Sequence, residues 1–137
     1  MLTFEQCMEP QIAYRGARFT IEFAIRVDGS IPGLVFYGQT QPRWQGRLNT
    51  LFKLLGETGR INNKEFFRKF TDGGFFEFKA FQVRMPCYFR TDARVVITHG
   101  FTKKKEGAAP RQEVERTKTI KIEYEGRLTS EGAANRR

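Results

Sequence analysis

"FFEFKAFQVRMPCYFRTDARVVITHGF", residues 75–101, decides how this chain is read. Three strand-like runs stand in it: "FFEFKAFQ" (Phe75 to Gln82), "VRMPCYFR" (Val83 to Arg90) and "ARVVITHGF" (Ala93 to Phe101). Aromatic and β-branched residues fill each run, and Thr91-Asp92 supplies a tight link between the last two, so the spacing predicts a meander. Pro86 cannot donate to a ladder, which predicts a strand bulged or exposed at that point. Period two puts Glu77 and Lys79 on one face of the first run, and a tight turn after it would bring Arg84 against Lys79 as a phosphate clamp.

Working outward, "ARFTIEFAIRVDG" alternates Phe19, Ile21, Phe23, Ile25 and Val27 with polar or small residues. That is the period of a half-buried strand, ended by Asp28-Gly29. The apolar cluster Leu34 to Tyr37 lies between Pro32 and Pro42 and fits either a short helix or a strand. "RWQGRLNTLFKLLG" sets Trp44, Leu48, Leu51, Phe52 and Leu55 on one helical face, with Gly56 available as C-cap. "NNKEFFRKF" resembles a short helical turn or loop with Asn63 as N-cap, before "TDGG" makes a turn. After Pro110 the pattern is ambiguous: "PRQEVERTK" opens like a helix, whereas "TIKIEYE" alternates like a strand. Residues 1–128 read as one domain, and the polar tail 129–137 reads as disordered.

The chain has 137 residues, 39% of them apolar, with fourteen Phe, which favours one aromatic-rich core. Twenty-four Lys and Arg against fifteen Asp and Glu leave a net charge of +9, which points to a polyanionic partner, nucleic acid first. Cys7 and Cys87 stand far apart with no CxxC pair, so neither a zinc site nor a disulfide framework is indicated, and no metal or other cofactor is expected. No apolar run is long enough to span a bilayer, and the N-terminus lacks the regions of a signal peptide. The expectation is a soluble, cytoplasmic protein without a membrane partner.

The order of elements, and above all "VVITHGFTKKKEGAAPRQEVER", resembles the RelE/HigB superfamily of toxin ribonucleases, in its phage-associated HigB-like branch. "IEFAIRVDGSIPG", "LLGETGRI" and "FFEFKAFQVR" add to the likeness, which covers about Thr20 to Tyr124. It implies an α+β fold with a small twisted antiparallel sheet and helices packed on one side, and makes the segment after Pro110 a helix. It also implies a type II toxin cleaving mRNA, in the ribosomal A site, silenced by a cognate helix-turn-helix antitoxin in a hetero-oligomer.

Cleavage by a ribose 2′-hydroxyl needs a proton acceptor, a cation for the transition-state charge and a donor for the leaving oxygen, and Lys, Arg and His can fill these roles without a metal. The family's strand arginine falls on Arg84, whose planar fork suits a phosphate, although a surface ion pair with Glu77 is the plainer use of it. The family's basic strand-end position falls on Lys103 or Lys104; with Lys105 these form a charge run that either grips phosphate or is merely solvated. His99 has a side chain that titrates near neutrality and could transfer a proton, but it shares a strand face with Ile97 and could equally face the core. Lys79, Arg111 and Arg116 are candidates for RNA phosphates. Tyr88 and Tyr124 are candidates for base stacking, with core packing the better fit. Glu77 is acidic where ribosome-dependent relatives often carry a basic residue, and Pro86 interrupts the strand. These departures fit an alternative in which a phage or prophage accessory protein grips RNA or the ribosome without cutting.

Overall fold

The structure, a computed structural model, describes residues 9–135, with side chains through residue 130; Cys7 and the last two residues of the tail lie outside it. The described elements are β1 (Gln11–Arg15), β2 (Thr20–Phe23), α1 (Pro32–Gln39), α2 (Pro42–Thr58), β3 (Phe67–Thr71), β4 (Phe75–Ala80), β5 (Val83–Arg90), β6 (Arg94–Ile97), β7 (Phe101–Thr102) and α3 (Arg111–Asn135). The meander read from residues 75–101 is there. β4 and β5 pair antiparallel in unbroken register from Phe75↔Tyr88 to Ala80↔Val83, and β5 pairs on with β6. Their links are tight enough to force positive φ on two non-glycine residues, Phe81 and Ala93.

The α+β class holds, but the sheet is neither small nor wholly antiparallel. Seven strands join in the order β1-β2-β6-β5-β4-β3, with β7 beside β5, and β2 runs parallel to β6 from Thr20↔Arg94 to Phe23↔Ile97. Nor do the helices keep to one side. Ile21, Phe23, Phe78, Val83, Met85, Cys87, Val95 and Ile97 form one core with Leu48, Leu51, Phe52 and Leu55 of α2. The opposite face sets Ala24, Phe75, Tyr88 and Val96 against Ile120 and Tyr124 of α3. The strand expected to be half-buried over residues 19–27 is shorter, Thr20–Phe23, and fully covered: Ile21 to Ile25 are all buried, because β2 sits inside a sheet covered on both faces. Glu22, caught in that burial, accepts from Arg94 at 3.1 Å and from the Tyr124 hydroxyl.

Other local readings change for equally physical reasons. Residues 34–37 are helical, with Pro32 at the start of α1. "NNKEFFRKF" is half turn and half strand: the Asn63 side-chain oxygen accepts the Glu65 amide, after which β3 pairs with β4. Pro86 is buried within a regular β5, and the irregularity lies in its neighbour, where the line of β6 and β7 breaks at residues 98–100. The carbonyl of Pro86 accepts the Thr98 amide at 2.9 Å, and its missing N–H meets the break on that same side. The ambiguous last segment is helical from Arg111. The helix runs on to Asn135 through the first part of the expected loose tail, with the Thr129 and Ser130 hydroxyls bonded one turn back to Glu125 and Gly126. No helix among the described residues is long and apolar enough to cross a membrane.

Gly59, at φ +83, is the C-cap of α2, and Gly56 has a different use. Its carbonyl accepts the amides of Arg18 and Phe19, and a Cβ built on Gly16 would stand 2.2 Å from the Gly56 carbonyl carbon and oxygen. That contact seats the β1–β2 hairpin on the end of α2. Gly16→Ala should therefore lower stability by about 2 kcal/mol or more, at the upper part of the range for overpacking, seen as an earlier midpoint in urea.

Candidate functional site

Lys79 and Arg84 face each other across one rung of β4 and β5, as their spacing predicts. The next strand out adds Arg68, paired in register with Glu77. The loop after β7 returns Glu106 to the same place. Arg84, 2% exposed, has its Nε 3.3 Å from Glu77 Oε1 and its Nη2 3.3 Å from Glu106 Oε1, while its Nη1 donates to the carbonyls of Phe81 (2.7 Å) and Val83 (3.1 Å). Arg68 reaches Glu77 at 3.7 Å and Glu106 at 3.8 Å, and Lys79 reaches Glu106 at 3.8 Å. The ion pair with Glu77 is therefore real but buried, not the surface pair that was the plainer reading of Arg84.

Burial dominates the electrostatics here. It holds the Glu77 carboxyl above the usual carboxylate range despite the pull of Arg68, Arg84, Lys103 and Lys79. Burial also lowers the Lys79 ammonium, helped by the charges of Arg68 and Arg84, and lowers Arg84, whose guanidinium remains a cation regardless. Glu77 Oε1 and Arg84 Nε face each other without hydrogen-bond alignment, so each is buried with an ionic partner but no hydrogen-bonding one.

The lysine run stands at the edge of this cluster. The Lys103 amide donates to the Gln82 carbonyl at 2.8 Å, its Nζ donates to the Gly107 carbonyl, and Lys104 and Lys105 are exposed. At the hairpin tip Phe81 stacks on Trp44, ring centres 5.7 Å apart, with Arg43 4.7 Å above its ring and Arg47 5.5 Å away. Cations and flat rings thus share one end of the sheet.

Five other candidates lie elsewhere. His99 is wholly buried, stacked on Phe101, with Thr98 Oγ1 3.0 Å from its Nδ1 and Glu113 Oε1 3.2 Å from its Nε2. Burial, with Arg116 and Arg26 nearby, pushes its pKa down to about 3. It is a neutral core residue that pins α3 to the strand break, and nothing from solvent reaches it. Tyr88 is sealed under α3 with its hydroxyl on Glu125, so no base can stack on it, and Tyr124 is likewise buried. Arg111 and Arg116 are exposed on α3, and the charge of Arg116 acts on His99 and Glu113 rather than on the Arg84 cluster.

Arg68 and Glu106 were missed. The pattern of "NNKEFFRKF" reads as a short helical turn or loop, where period two does not apply; as the strand it is, "FRKF" places Arg68 opposite Glu77. Glu106 was hidden by the three lysines before it. Among the described residues no three His, Cys, Asp or Glu side chains come together as metal ligands would. No protein-family model matches the chain, and no curated protein matches it.

Two measurements check this geometry. Arg84→Met takes from Glu77 its nearest cation, leaving Arg68 at 3.7 Å, and should cost about 3 kcal/mol, whereas Glu77→Gln with Arg84→Met should recover most of that loss in chemical denaturation. The chain's single histidine gives a clean acid signature. Its unfolded form takes up a proton below about pH 6.5 and its folded form only near pH 3, so stability falls as pH drops through that window. The loss should reach about 2 kcal/mol by pH 5, and His99→Gln should flatten this part of the curve.

Proposed function

We propose that the chain is the toxin of a type II toxin–antitoxin pair, a cytoplasmic, metal-independent endoribonuclease that cuts mRNA on the ribosome and is silenced by a helix-turn-helix antitoxin. The observation that carries this reading is the convergence of Arg84, Lys79 and Arg68 at one end of the sheet, beside the Lys103–Lys105 run. A net charge of +9 draws RNA there, and the Trp44–Phe81 stack with its arginines offers faces for unstacked bases. Arg84 and Lys79 stabilise the charge that builds on the non-bridging phosphoryl oxygens. With His99 sealed in the core, proton transfer falls to the amines at the strand end, Lys103 or Lys104.

One observation favours a second reading, RNA binding without cleavage: every arm of the Arg84 guanidinium already faces a carbonyl or a carboxylate. Expression of the chain separates the two. A nuclease should arrest growth and cut mRNA bound to purified ribosomes, and the Glu77→Gln/Arg84→Met protein, which keeps its buried charges balanced, should do neither. Intact mRNA with tight, salt-sensitive binding would leave only the second reading. In either case replacing Lys103, Lys104 and Lys105 with Ala should lower the slope of log Kd against log salt by about 2, from roughly 0.7 per single-strand phosphate.

A further inference from the structure

Arg84 has no free arm, so any oxyanion that meets it must take a place already filled. The hairpin carbonyls hold Nη1 and the buried Glu77 faces Nε, which leaves the Nη2 side, where Glu106 sits. Glu106 differs from the other groups in kind. Arg84 and Lys79 are fixed on central strands and buried, whereas the Glu106 side chain is 72% exposed on the loop before α3 and followed by Gly107 at φ +128. Removing that carboxylate from the cluster uncovers little apolar surface and breaks no ladder.

Its fit is also loose. Two carboxylate oxygens are shared among three cations, at 3.3 Å from Arg84 and 3.8 Å from both Arg68 and Lys79. Charge-assisted hydrogen bonds normally close to about 2.7–2.9 Å. A tetrahedral phosphoryl group is larger: free phosphate carries an oxygen for each cation, and even a phosphodiester's two non-bridging oxygens stand farther apart than the two of a carboxylate. Once Glu106 leaves, three cations face only the Glu77 carboxylate, and the balance calls for an anion.

We propose that the Arg68–Lys79–Arg84 socket is an exchange site, in which the Glu106 carboxylate is an internal stand-in that a phosphoryl group displaces. The inference rests on the RNA reading for the source of that group, a phosphodiester in the chain's substrate, but the socket itself selects only for phosphoryl chemistry. Glu106 thereby sets the threshold for binding: weak anions leave it in place, and a phosphate presented along a polyanion expels it.

The test is titration of wild type and Glu106→Gln with inorganic phosphate, followed by calorimetry. The variant should bind about three- to tenfold more tightly, since it has no ionised competitor to expel, and Lys79→Met added to it should remove the gain. Equal or weaker binding by Glu106→Gln overturns the proposal. If the variant does not fold, the wild type decides: its Glu106 side-chain carboxyl resonance should shift as phosphate is added, and phosphate binding with no such shift overturns it equally. Cleavage is scored separately on RNA. Tighter phosphate binding with uncut RNA keeps the socket and removes the nuclease reading; cut RNA with equal phosphate affinities removes the socket alone.

Discussion

A guanidinium buried between strands is the constraint around which this end of the molecule is arranged. Arg84 is 2% exposed and Glu77 3%, and a charge held that far from water is tolerable only when other groups surround it. The compensation comes from three directions: β4 brings Glu77, the hairpin offers the carbonyls of Phe81 and Val83, and the loop after β7 brings Glu106. Lys79 of β4 and Arg68 of β3 add like charge, which the same two carboxylates must also answer. The left-handed backbone at Phe81 belongs to this set, since Arg84 Nη1 takes up the carbonyl of that same residue.

Burial on both faces sets the remaining chemistry. With α2 on one side and α3 on the other, polar residues of the middle strands must be satisfied inside the protein. Glu22 is met by Arg94 and Tyr124, Tyr88 by Glu125, and His99 by Thr98 and Glu113. The histidine considered for proton transfer and the two tyrosines considered for base stacking are thus the residues that join α3 to the sheet.

What could be read from residues alone follows from this division. The meander and the α2 face were legible because each rests on local periodicity and turn residues, and the Lys79–Arg84 rung followed from them. The parallel pairing of β2 with β6 was not, because a strand buried on both faces carries no register signal in its own few residues. Gly56 was taken for a cap because it stands at the end of a periodic run; its true use depends on Gly16, which no local window contains. The fate of His99 was open for a similar reason, since its burial comes from a helix that starts only after Pro110.

The β2–β6 pairing also implies an order of assembly. Thr20 to Phe23 must wait for Arg94 to Ile97, whereas β3 to β6 close on near neighbours in sequence, and non-local closure is the slower event. On a chain still being synthesised, the β1–β2 hairpin therefore has only α1 and α2 to pack Ile21 and Phe23 against, and its open sheet edge waits for the meander to receive it. The strands made last are the template, and the strands made first are the last to dock.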